Sequence, residues 1–168
     1  MLTRGRVAQV EPKEETNMAT LVGIAIKRLP FARVLQLKRS LVSPANGLDG
    51  DFRGRNTLGK PRQVTLLQEE HWLETCRELG AILPWTKRRV NLFVVGLPAL
   101  GPRNVGNVLA IGRVRLEVTG ETEPCPRMDL ARLGLKRALS KGWRGGVTCC
   151  VLQGGSIAVG DEVILKPF

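Results

Sequence analysis

"RVRLEVTGETEPCPRMD" (residues 113–129) decides how the chain is read. Its first half alternates: Val114, Leu116 and Val118 are apolar, while Arg113, Arg115, Glu117 and Thr119 are polar. A period of two places the apolar side chains on one face, which predicts a strand over 113–120 with that face on a core. The second half stops the strand. Pro124 and Pro126 flank Cys125, fix φ on both sides and remove two backbone donors. Cys125 itself precedes a proline and is biased to an extended conformation. The next residues, 127–139, read as a short helix. A thiol is therefore expected on a stiff loop between a strand and a helix, with Arg127 two residues on. The thiolate is the nucleophile and the metal ligand, and electropositive surroundings favour it. Local chemistry alone leaves two fates open: a reactive thiol, or a buried structural cysteine, the commonest fate of a free one.

Outward from this stretch the pattern stays mostly β. Residues 20–27 form an apolar run ended by Pro30, and residues 33–42 alternate in part, so both read as strands. Residues 43–61 are dense in Gly, Asn, Asp and Pro and read as a long loop, of the kind that is usually functional or mobile. A strand at 62–67 runs into a helix at 68–79. There Glu69 and Glu70 suit the positive end of the helix dipole, and Trp72, Cys76 and Leu79 make an apolar stripe. Gly80 is a natural residue just past that helix. A basic loop and a strand at 90–95 follow. Residues 145–167 read as two or three strands with turns at Gly154-Gly155 and Gly160-Asp161. Many short strands with glycine turns and two helices predict a mainly β fold, a small barrel with added helices.

The 168 residues predict one domain, 18–168, after a polar, patternless tail at 1–17; Met18 reads as a fresh start. The chain is strongly basic, with 26 Lys and Arg against 15 Asp and Glu and a net charge of +11. The tail balances Arg4, Arg6 and Lys13 against Glu11, Glu14 and Glu15, so the whole excess belongs to 18–168. Such a domain suits an anionic ligand or a polyanion. No apolar run approaches the roughly 18 residues of a membrane span, and the first residues lack an apolar signal core, so a cytoplasmic location and no membrane are expected. Four cysteines (Cys76, Cys125, Cys149, Cys150), no C-x-x-C pair and one histidine argue against structural zinc. Adjacent Cys149 and Cys150 in a strand point to opposite faces, which argues against a disulfide framework.

Other residues invite plain readings. Cys76, Cys149 and Cys150 read as core or half-buried, and His71 as a surface or satisfied side chain. "GLDGDFRGR" (47–55) reads as an Asp-rich turn, since it lacks the ligand pattern of a calcium loop. The loop-borne bases Arg53, Arg55, Lys60, Arg62, Arg88, Arg89 and Arg144 are suited to phosphate, or are simply solvated.

Taken in order, "GIAIKR", "GLDGD", "RQVTLL" with its helix, "RRVNLFVVG", "IGRVRLEVTGETEPCPRMD" and "WRGGVTCCVLQGGSIAVGDEV" resemble the MOSC domain. That module ends eukaryotic molybdenum cofactor sulfurase and also occurs as small stand-alone bacterial proteins. The pieces span about 21–165, and the stand-alone bacterial form is the nearest likeness. The resemblance implies a β-barrel related to the pyruvate kinase barrel domain. It implies that Cys125 is the catalytic cysteine, ligating molybdenum or carrying sulfur. It implies a cofactor pocket that includes Asp51, Arg89, Asn91 and Arg144, to which the loop bases Arg62 and Arg88 are added here. The expected cofactor is the molybdenum cofactor, an anionic pterin whose dithiolene supplies the other metal ligands. The expected partners are that pterin and a sulfur donor or redox protein.

Two departures qualify the likeness. The histidine- and glycine-rich stretch that follows the "GD" loop in some bacterial members is replaced by "FRGRNTLGKPRQ", without histidine, which puts base detoxification in doubt. The sulfurase's pyridoxal-phosphate domain has no counterpart in these residues. The function expected is a small molybdenum-dependent reductase or a cofactor or sulfur carrier. The alternative is a non-catalytic basic module for nucleic acid, although aromatics at 4% leave few stacking platforms.

Overall fold

The computed structural model describes residues 18–168. The predicted tail, 1–17, lies outside the described residues. Seven strands close into a barrel: β1 (Ala19–Ile26), β5 (Val64–Gln68), β6 (Leu92–Val95), β7 (Val108–Ile111), β8 (Val114–Glu121), β9 (Val147–Gln153) and β11 (Glu162–Lys166). Around the ring the order is β1, β6, β5, β9, β8, β7, β11, and β11 returns to pair with β1. Closure leaves this ring no free edge. A short strand, β2 (Leu35–Leu37), adds to the outer side of β1's pairing, and β10 (Gly155–Ala158), β3 (Arg39–Ser43) and β4 (Gly47–Leu48) form a small second sheet.

Every pairing in the ring is antiparallel except β5–β6. A parallel pair needs a crossover, and residues 69–91 supply it: α1 (Glu69–Glu78) and a 3₁₀ turn (Trp85–Arg88). The crossover explains why β5 is buried along its whole length. Leu66 packs with Leu92, Val118, Val147 and Cys149 in the main core. Leu67 points the other way and packs with Trp72, Cys76, Phe93, Leu135 and Leu139 under the helices. A strand covered on both faces loses its alternation, whereas β8, covered on one, keeps it: Val114, Leu116 and Val118 are fully buried.

α1 follows the sequence closely. Trp72 and Cys76 are buried and Leu79 packs against them. Glu70 accepts the Gly96 N–H at 2.6 Å, which ties the helix start to the end of β6. The predicted helix at 127–139 is two pieces, α2 (Met128–Ala131) and α3 (Leu135–Leu139). Gly134, at φ +89°, breaks it. Likewise the predicted strand at 33–42 divides into β2 and β3, and the long loop at 43–61 contains β4. Its glycines are there for close approach: a Cβ on Gly47 would lie 2.6 Å from the Gln63 carbonyl, and one on Gly54 2.3 Å from that of Asn46.

Candidate functional site

Cys125 is exposed, on the segment between β8 and α2. Its carbonyl accepts the Met128 N–H at 3.0 Å and that of Pro126 accepts the Asp129 N–H at 3.1 Å, so the thiol opens a tight turn into α2. It lines a cleft of about 540 Å³ with Arg53, Arg62, Arg88, Arg89, Glu123, Arg127 and Met128. Five guanidiniums thus face one carboxylate and one thiol. They come from four separate stretches: the loop after β4, the entry to β5, the crossover and the start of α2.

The crossover arginines are built in, and the cause is local. The Trp85 ring stacks on Phe93 at 4.9 Å and lies over Gly23, where a Cβ would sit 2.5 Å from it. This pins the 3₁₀ turn to β1 and β6. Arg88 then points inward, 5% exposed, donating from Nε to the Gly145 carbonyl (2.9 Å) and from Nη2 to that of Thr122 (2.6 Å). A Cβ on Gly145 would meet the Thr122 carbonyl at 2.6 Å and Arg88 Nη2 at 3.2 Å, which explains the glycine in "WRGG". Arg89 takes a left-handed conformation, φ +64°, uncommon for a side chain with a Cβ and a mark of strain held by its surroundings.

Crowding of like charges shows in the proton affinities. Burial and the neighbouring Arg62 lower Arg88 to about 10. Burial, then Arg62 and Arg127, lower Arg53; burial, then Arg53 and Arg127, lower Arg89. Lys27, at the end of β1, is lowered by burial and by Arg89, Arg53 and Arg127. A cluster whose members depress one another is stabilised by an anion.

Asp51 stands at the edge of this cluster. It is buried; Oδ1 accepts the Lys27 N–H at 2.9 Å, and Oδ2 is buried without a partner. Asp51 lines a small pit with Lys27, Arg53, Thr65, Arg89 and Asn91. Asn91 is largely committed to the fold. Its Oδ1 accepts from the Thr65 N–H (3.0 Å) and hydroxyl (3.1 Å), and its Nδ2 donates to the Ala25 carbonyl (3.2 Å).

The structure therefore brings Cys125, Arg62, Arg88 and Arg89 into one cleft, with Asp51 and Asn91 in the adjoining pit. It does not bring Arg144 there. Arg144 pairs with Glu74 at 2.5 Å and Glu78 at 2.6 Å on α1, and Lys141 pairs with Glu78 beside it. Its fork is occupied by two carboxylates some seventy positions away in sequence, which no local pattern announces. Sequence reasoning passed over Lys27 and left Arg53 and Arg127 out of the pocket. Lys27 carried no signal beyond its place at the end of an apolar strand.

The other cysteines are in the core or half-buried. Burial pushes the Cys149 thiol up to about 12. Cys150 is half-buried and donates to Gln63 Oε1. His71 departs from expectation: it is half-buried, burial lowers its pKa, and Nδ1 is buried with no partner. Among the described residues no group of three or more His, Cys, Asp or Glu is placed to hold a metal ion, and no helix is long and apolar enough to cross a membrane.

No curated protein matches the chain. Solved structures do. The YuaD protein of Bacillus subtilis is 20% identical, with a TM-score of 0.73 over 90% of this chain and 97% of that one. YiiM from Escherichia coli is 17% identical, with a TM-score of 0.67 over 90% and 71%. YiiM from Geobacillus stearothermophilus is 18% identical, with a TM-score of 0.64 over 88% and 74%. At these identities the likeness is one of fold, and it agrees with the closed barrel. A family model of the MOSC domain matches residues 53–164, well over half of the sequence and inclusive of every arginine of the cleft and its cysteine. The chain belongs to the MOSC domain family.

Proposed function

We propose that the cleft binds the molybdenum cofactor, with Cys125 as the protein's ligand to the metal. One observation carries the reading: an exposed thiol faces five arginines and a single acid in a cleft of ligand size. The donor set suits the cofactor. One soft thiolate fits molybdenum, and the dithiolene provides the remaining sulfur. Arg53, Arg62, Arg89 and Arg127 would meet the phosphate and other polar atoms with planar forks. Arg88 contributes charge from behind, since Nε and Nη2 already hold Gly145 and Thr122. The free Oδ2 of Asp51 is the acceptor available to the pterin's N–H donors.

When bound, the cofactor supplies two-electron redox chemistry at the metal. The chain's own part is binding and orientation. Prolines hold the thiol, the pinned crossover holds Arg88 and Arg89, and the cationic walls favour anions entering. A small reductase and a cofactor carrier share this requirement. The test is molybdenum content and oxidised-pterin fluorescence of protein purified from a host that makes the cofactor. Wild type is expected to carry both, and Cys125→Ala to lose about tenfold or more of the molybdenum, the scale of a lost ligand. Equal molybdenum in the two proteins would remove the ligand role. Sulfane sulfur on Cys125 without molybdenum would replace it with sulfur carriage.

A further inference from the structure

A second groove, of about 620 Å³, lies beside the thiol cleft and shares Arg89, Arg127 and Met128 with it. Its floor is apolar, with Phe31, Val34 and Leu130; its walls carry Lys27, Lys87, Arg89 and Arg127, and no Asp or Glu lines it. Phe31 is the unusual member. It is 79% exposed and sits at φ +64°, a conformation that costs free energy for a bulky side chain. The Arg127 guanidinium lies 4.8 Å from its ring centre, so the apolar floor and the cation cluster meet at this pair. Leu130, on α2, is 86% exposed across the groove. An aromatic ring held in water by a strained backbone, next to another exposed apolar side chain and four cations, is placed for a ligand rather than for the core.

We propose that this groove is a substrate subsite, and that it takes an amphiphilic anion: a small molecule with a flat apolar body and one acidic head. The proposal rests on the reading of the Cys125 cleft as the reactive centre. The body covers Phe31, Val34 and Leu130 and removes their surface from water. The head pairs with Arg89 and Arg127, the cations that the groove shares with the Cys125 cleft. The volume, about 620 Å³, is that of a small-molecule site. Charge complementarity makes the groove selective for an anion over a neutral molecule of the same shape.

The test is a fluorescence titration of the full chain with 1-anilinonaphthalene-8-sulfonate, alongside its neutral relative N-phenyl-1-naphthylamine. The expected result is one saturable site that holds the sulfonate about tenfold or more tightly than the neutral probe, the scale of a charge-assisted contact. Phe31→Gly removes the ring and also relieves the left-handed backbone. It is expected to weaken the sulfonate about tenfold without lowering Tm. Leu41→Ala, which trims an exposed apolar side chain on β3, is expected to change nothing. Equal affinity for the two probes, unchanged affinity in Phe31→Gly, or no saturable binding would each overturn the proposal. The same titration on wild-type protein purified from a host that makes the cofactor, with its molybdenum assayed, separates it from the cofactor reading. Charge-selective binding retained in a chain that carries no molybdenum supports the groove and removes only the cofactor. Molybdenum retained with no charge selectivity removes only the groove.

Discussion

Cys149 and Cys125 carry the same side chain in opposite surroundings. Cys149 sits in the middle of the barrel, in register with Val64 on β5 and Val118 on β8, and is fully buried. Desolvation pushes its thiol up to about 12, so it stays protonated and packs as a small apolar group. Cys125 stands outside the barrel, between two prolines, with five arginines about it. The barrel makes one thiol inert by excluding water. The loops make the other available by holding it in water among cations. The fold thus divides its labour: strands supply a rigid ring, and four other stretches supply the cationic cleft beside it.

Three changes would break or sharpen that contrast. The largest effect is expected from a carboxylate at each thiol. Cys149→Asp buries an unpaired charge and should cost upwards of about 4 kcal/mol, enough to prevent folding. Cys125→Asp, exposed and facing arginines, should leave Tm within a few degrees of wild type; thermal unfolding of both checks this. A smaller loss is expected from Gly145→Ala, because the added Cβ meets the Thr122 carbonyl and displaces Arg88 from it. A cost of about 1–3 kcal/mol follows from overpacking and a lost charged hydrogen bond, readable in a denaturant midpoint, together with reduced cofactor content. The smallest effect is expected from Arg144→Ala. Its partners Glu74 and Glu78 are on the surface of α1, and exposed ion pairs contribute little to stability. Cofactor content should not change; a loss as large as that of Cys125→Ala would return Arg144 to the site.

What the sequence made legible follows the range of the interaction that decides each feature. β8 and α1 are set by periodicities within a dozen residues, and both were readable. β7 was not read, because Val108–Ile111 is four residues without alternation and is held by β8 and β11 on either side. The break at Gly134 was missed because the apolar spacing carries across it while its φ of +89° ends the helix. At the site, Cys125 was readable from its flanking prolines, which act on neighbours. Lys27 and Arg127 meet Arg89 only after the crossover closes, and Arg144 meets Glu74 only after α1 packs beside the loop before β9. These contacts join positions from 38 to 70 apart, so composition names the residues without pairing them.

The central claim is that the exposed thiol, and not the buried one, completes the metal site. Molybdenum K-edge absorption on wild type and Cys125→Ser, each purified from a host that makes the cofactor, tests it most directly. The account predicts that the wild-type metal has one more sulfur neighbour than the dithiolene provides, and that Cys125→Ser loses that one while any residual pterin keeps its own. Identical sulfur shells in the two proteins, or wild type without molybdenum, would contradict it.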